Sequence, residues 1–117
     1  MRHQESKLQR ECVEWFHNHY KHHILFAIPN GGYRSKIEAA IMKGEGVLAG
    51  TADLFLVCAA CGFNGLFIEL KTPKGRQTEK QKEFAWNVQK FGYGYIIVRS
   101  KDEFKKLISN YLYKTIE

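Results

Sequence analysis

Two short apolar runs, Leu54 to Cys58 and Leu66 to Lys71, flank the segment Ala59-Ala60-Cys61-Gly62-Phe63-Asn64-Gly65. Their length, and the Gly and Asn between them, read as two strands joined in an antiparallel hairpin. That commits the middle of the chain to a sheet, and the remainder supplies elements to extend and cover it. Leu8, Cys12, Trp15, Phe16 and Tyr20 mark one face of a helix from Gln4 to about Tyr20. Ile24 to Ile28 is a further strand, closed by the turn residues Pro29-Asn30-Gly31-Gly32. Ser35 to about Lys43 forms a short helix, and Thr78-Glu79-Lys80-Gln81 has the capping-box form that opens another to about Phe91. Tyr93 to Val98 is a last strand. Ser100-Lys101-Asp102-Glu103 repeats the capping form and opens a helix to about Tyr113. The order helix, strand, helix, hairpin, helix, strand, helix implies an α/β fold: a mixed β-sheet flanked by helices.

A chain of 117 residues fits one domain, residues 1–117, large enough to bury a real core. With 44% hydrophobic and 26% charged residues, it has the composition of a folded protein rather than a disordered one. No stretch is long and apolar enough to span a bilayer, and Arg2-His3-Gln4-Glu5 is too polar for a signal peptide, so a soluble, cytoplasmic protein is expected. The formal charge of +6 favours polyanionic partners such as nucleic acid. Cys12, Cys58 and Cys61 are an odd set, and no second pair completes a zinc site with Cys58 and Cys61. His17, His19, His22 and His23 read as a solvated helix end.

Glu69 and Lys71 fall inside the second apolar run, and Asp53 heads the first. The pattern Glu-x-Lys also occurs at Glu5 to Lys7 and Glu103 to Lys105, but those copies belong to helices. Residues two apart on a strand share a face, so Glu69 and Lys71 project together while Leu66, Ile68 and Leu70 cover the other side. The hairpin brings Asp53 beside them. Charges next to buried strands need a partner, which is either an ion pair at a solvated strand end or a divalent metal. Two further polar residues point inward: Glu5 falls on the face of Leu8, Cys12 and Phe16, unlike Glu11 and Glu14, and Gln81 on the face of Phe84, Ala85 and Val88. Glu5 has the alternative of a frayed helix start, and Gln81 that of a helix cap.

Magnesium prefers a few carboxylate oxygens with water and phosphate, which Asp53, Glu69 and Glu5 can supply; manganese is expected to substitute. Such a site suits phosphodiester hydrolysis, with Lys71 orienting the attacking water or stabilising the transition state. Candidate contacts to a nucleic-acid backbone are Asn30 and Gly31 in the glycine turn, the nearby Arg34, Lys36 and Lys43, and Lys74 and Arg76 in a mobile basic loop. An ordinary turn and a solvated loop are the plainer readings of the same residues. Trp86 faces away from the apolar stripe of its helix, which suits a dimer interface or stacking on a base.

Taken together these residues resemble the PD-(D/E)XK nuclease superfamily and, within it, the virus-type replication-repair nuclease (VRR-NUC) domain. The resemblance spans most of the chain. Its landmarks are Glu5 with Gln9, Pro29-Asn30-Gly31-Gly32 with Arg34, Gly50-Thr51-Ala52-Asp53-Leu54, Ile68-Glu69-Leu70-Lys71, Gln81 and Gly92. Ala52 stands where the family usually has proline, a position that shapes the turn rather than binding metal. The resemblance implies a restriction-endonuclease-like core and a magnesium-dependent endodeoxyribonuclease. Metal ligands would be Glu5, Asp53, Glu69 and the Leu70 carbonyl, with Lys71 catalytic and Gln81 supporting. It also implies that stand-alone viral-type members, phage proteins included, act as homodimers on branched DNA, in the manner of Holliday-junction resolvases in DNA repair; a viral copy would work in the host cytoplasm. Two other functions stay open. A non-catalytic nucleic-acid-binding module is disfavoured by the intact Asp53, Glu69 and Lys71. A restriction-type nuclease on linear duplex is disfavoured because no separate target-recognition segment is visible, which favours recognition by shape.

Overall fold

The runs expected as strands pair into one sheet in the computed structural model, which describes residues 2–29 and 35–113. Along the described residues the order is α1 (Arg2–His19), β1 (Ile24–Ala27), α2 (Lys36–Gly44), β2 (Leu54–Val57), β3 (Leu66–Leu70), α3 (Glu79–Lys90), β4 (Gly94–Val98) and α4 (Lys101–Leu112). The sheet order is β1-β2-β3-β4. The first two pairings are antiparallel and β3 runs parallel to β4, so the sheet is mixed as expected. The parallel step requires a crossover, and α3 provides it. No helix among the described residues is long and apolar enough to cross a membrane.

Alternation along the strands divides the side chains between two unlike faces. Leu54, Leu56, Leu66, Ile68, Leu70 and Val98 form the core with Cys12 and Phe16 of α1 and Phe104, Ile108 and Leu112 of α4. Full burial of a Leu, Ile or Phe is worth about 1.5–3 kcal/mol, so this face carries most of the stabilisation. The other face is aromatic. Phe55 and Phe67 lie 4.5 Å apart between ring centroids, and Phe84 of α3 meets Phe67 at 5.2 Å and Tyr95 at 6.1 Å, both edge to face. Glu69 and Tyr95 belong to this second face.

Helix ends follow the sequence closely. Ser35 and Thr78 form full capping boxes with Glu38 and Gln81. Ser100 caps α4 by accepting the Glu103 N–H, but the Glu103 carboxylate reaches past it and accepts the Arg99 N–H at 2.8 Å. The loop before β2 is pressed onto the start of α3 at Gly50. A Cβ there would stand 2.6 Å from the Lys80 Cβ and 2.8 Å from its carbonyl carbon, and the φ of +81° is one that L side chains rarely adopt. Glycine lets the chain pass this point and deliver Asp53 to the sheet. By contrast, α2 contributes no buried residue, and its Ile37 and Ile41 are 74% and 55% exposed.

Candidate active site

Asp53 stands one residue before β2, and its backbone is already held on both sides: its N–H donates to the Ile68 carbonyl at 3.1 Å, and its carbonyl accepts the Ile28 N–H at 2.9 Å. The register pairs Leu54 with Ile68, so one further step sets Asp53 opposite Glu69. The Asp53 carboxylate is fixed by the Leu70 N–H, which donates to Oδ2 at 2.7 Å, a short charge-assisted bond. Strand pairing thus brings two carboxylates together from distant parts of the chain.

Glu69 is fully buried. Its two oxygens are treated differently. Oε1 accepts from Gln77 Nε2 at 3.0 Å and from the Tyr95 hydroxyl at 2.5 Å. Oε2 is buried, meets no hydrogen-bond donor among the described residues, and faces the Lys71 ammonium at 3.5 Å. Lys71 is itself buried, with its side chain only 9% exposed, so this ion pair is largely out of water, where an unbalanced charge is costly. Burial, and then the hydrogen bond to Glu69 and the charges of Glu69 and Asp53, push the Tyr95 hydroxyl well above the usual phenol range. It therefore stays a proton donor to Glu69 throughout the neutral range.

The turn after Lys71 is clasped. The Arg99 guanidinium donates through Nη1 to the carbonyls of Thr72 at 2.8 Å, Gly75 at 2.7 Å and Pro73 at 3.4 Å. Gly75 in turn donates to the Thr72 carbonyl at 3.0 Å. A Cβ on Gly75 would stand 3.4 Å from Lys71 Cδ, so the turn lies close along the lysine stem. The basic loop expected here is a turn in which one planar guanidinium meets three carbonyls. Lys74 and Arg76 remain exposed upon it.

The other expected residues divide. Gln81 is half-buried, and its amide oxygen accepts the Thr78 N–H at 2.8 Å, so it serves its helix as a cap. Glu5 is half-buried in the first turn of α1, the helix whose Cys12 and Phe16 lie in the core on the opposite face of the sheet from Glu69. Among the described residues no three His, Cys, Asp or Glu side chains gather closely enough to hold a metal. Glu5, Asp53 and Glu69 do not form such a group. Lys43 is exposed at the end of α2. Asn30, Gly31 and Arg34 lie outside the described residues. Trp86 faces solvent at 66% exposure, with the Lys90 ammonium 5.6 Å from its ring. Gln77, Tyr95 and Arg99 escaped the sequence reading. Tyr95 left a trace, since a buried tyrosine hydroxyl needs a partner and its place on the last strand sets it on one face with Glu69.

A divalent cation fits this donor set. Asp53 and Glu69 against Lys71 leave one net negative charge, and a buried carboxylate oxygen that lacks a donor is a position a cation satisfies.

The family model of the VRR-NUC domain matches residues 1–102. Among solved structures, a chain titled "VRR_NUC domain protein" superposes with a TM-score of 0.79 at 26% sequence identity, over 93% of this chain and 88% of that one. The likeness agrees with a restriction-endonuclease-like α/β core. A comparison with curated proteins finds no match.

Proposed function

The chain belongs to the VRR-NUC family, a nuclease-type domain, and on that premise we propose that it is a metal-dependent DNA endonuclease that cuts phosphodiester bonds. The observation that carries this reading is Glu69: buried, held on one oxygen by Gln77 and Tyr95, and presenting the other to Lys71 across from Asp53. Asp53 and Glu69, with the Leu70 carbonyl between Glu69 and Lys71, would hold magnesium or manganese. When bound, the metal would lower the pKa of a water and neutralise charge on the phosphate. Lys71 supplies a positive charge that does not depend on the metal, close enough to Glu69 to orient a water or to meet charge developing on the phosphate. The ring of Phe84 on α3 packs against Phe67 and against Tyr95, the residue that holds Glu69.

Branched DNA is the proposed substrate. A charge of +6 supplies backbone affinity without sequence information, and exposed Lys74 and Arg76 stand just beyond Lys71 to take phosphate contacts. We further propose that the protein works as a homodimer. Ile37 and Ile41 on α2 and Leu48 beyond it are more than half exposed, and a groove of about 830 Å³ lined by Met42, Val47, Leu48, Phe84, Val88 and Phe91 opens between this region and α3. An apolar surface of that kind suits a partner subunit.

The test is incubation of supercoiled plasmid and a synthetic four-way junction with the protein in magnesium, manganese or chelator, beside Asp53→Ala and Lys71→Ala. Cleavage is expected with either metal, abolished by chelator and reduced at least about 100-fold by either substitution, the scale of losing a transition-state contact. Tight junction binding with no cutting in either metal would instead support a binding module. Light scattering of wild type and Ile41→Glu reads the oligomeric state.

A further inference from the structure

Each oxygen of a carboxylate has room for two hydrogen bonds, so the donors around a buried one can be shared between both. At Glu69 they are not. Both of its hydrogen bonds arrive at Oε1, from Gln77 and Tyr95, and Oε2 is left to the Lys71 charge. The two donors come from separate segments, a strand and the loop before α3, and are separately secured. Tyr95 lies on β4 with its ring edge against Phe84 of α3. Gln77 immediately precedes Thr78, whose N–H is held by the Gln81 amide oxygen and whose hydroxyl accepts the Gln81 N–H at 3.1 Å. The cap of α3 thus fixes the backbone next to Gln77, giving Gln81 an indirect link to the site.

We propose that Gln77 and Tyr95 are positioning residues that occupy Oε1 of Glu69 and commit this carboxylate to bind a divalent cation through Oε2 alone. The proposal rests on the metal site put forward above. A carboxylate free to rotate could chelate through both oxygens or swing away, whereas one pinned at Oε1 presents a single donor in a fixed direction. Magnesium, which demands near-octahedral geometry and retains water, favours that arrangement. Loss of either pin loosens the ligand without removing it.

The experiment uses Tyr95→Phe, which keeps the ring and deletes the hydroxyl, and Gln77→Leu, which deletes the amide donor. Manganese binding is measured by calorimetry and by electron paramagnetic resonance, and plasmid cleavage is titrated with manganese. Each variant is expected to bind manganese about tenfold more weakly than wild type, as happens when a ligand's outer hydrogen bond is lost. Excess metal is expected to restore cutting, which a damaged fold would not allow. Wild-type manganese affinity in both variants, with melting temperatures unchanged, overturns the proposal while the nuclease reading stands. If wild type itself neither binds manganese nor cuts, both fall together. Should one variant fail to fold, the other decides the matter.

Discussion

Glu69 and Lys71 stabilise each other in a place where neither would stand alone. Removing one partner of a buried pair strands the other, at a cost of about 3–5 kcal/mol, whereas replacing both with neutral groups of like volume is often neutral or favourable. Lys71→Met is therefore expected to lower stability sharply, and adding Glu69→Gln to recover much of the loss, as read from urea midpoints. A Lys71→Met protein as stable as wild type would mean that the charge is better solvated than its burial indicates. These residues were legible as letters because charges within an apolar strand contradict their surroundings, and Asp53 followed from the hairpin. Gln77 and Tyr95 were not. Gln77 sits in a segment without periodicity, and tyrosine in a strand reads as an ordinary β-former.

Among the elements, pairing and caps were legible because each rests on local chemistry: alternation for the hairpin, and Ser or Thr with Glu or Gln for the helix starts. Their ends agree with the expected ones to within two residues. Contacts between distant segments left no such mark. Arg99 follows the last strand in sequence but fastens the turn after Lys71 in space, and Glu5 shares the apolar side of its helix yet forms no group of three with Asp53 and Glu69. Gly50 is a third case, since its letter alone does not show that Lys80 lies against it. Gly50→Ala is expected to destabilise by more than about 1 kcal/mol, since both the positive φ and the Lys80 backbone oppose a Cβ. It should also weaken cleavage by displacing Asp53. Thermal denaturation together with the plasmid assay checks both effects, and an unchanged melting temperature would mean that the loop moves aside freely.

For the molecule as a whole, burial sets a limit at alkaline pH. It pushes the Cys12 thiol from an ordinary value of 9.0 up to about 12, with the charge of Glu11 adding to the effect. Burial also raises the Tyr111 hydroxyl from 10.0 to about 12, helped by the nearby thiols Cys58 and Cys61, and Tyr95 is shifted in the same direction. A folded pKa above the unfolded one means that the native state holds its protons longer. This stabilisation is complete below pH 9 and is lost as pH rises from 9 towards 12. Chemical denaturation across that range should show stability falling, and a flat profile would contradict the burial of these groups. The proposed function turns on the buried carboxylate of Glu69. The most direct measurement is the rate at which folded Glu69→Gln nicks supercoiled plasmid in magnesium beside wild type. Wild type is expected to cut, and the rate of the variant, with its volume kept and its charge removed, to fall by at least about 100-fold. A folded Glu69→Gln protein that cuts at the wild-type rate would contradict this expectation.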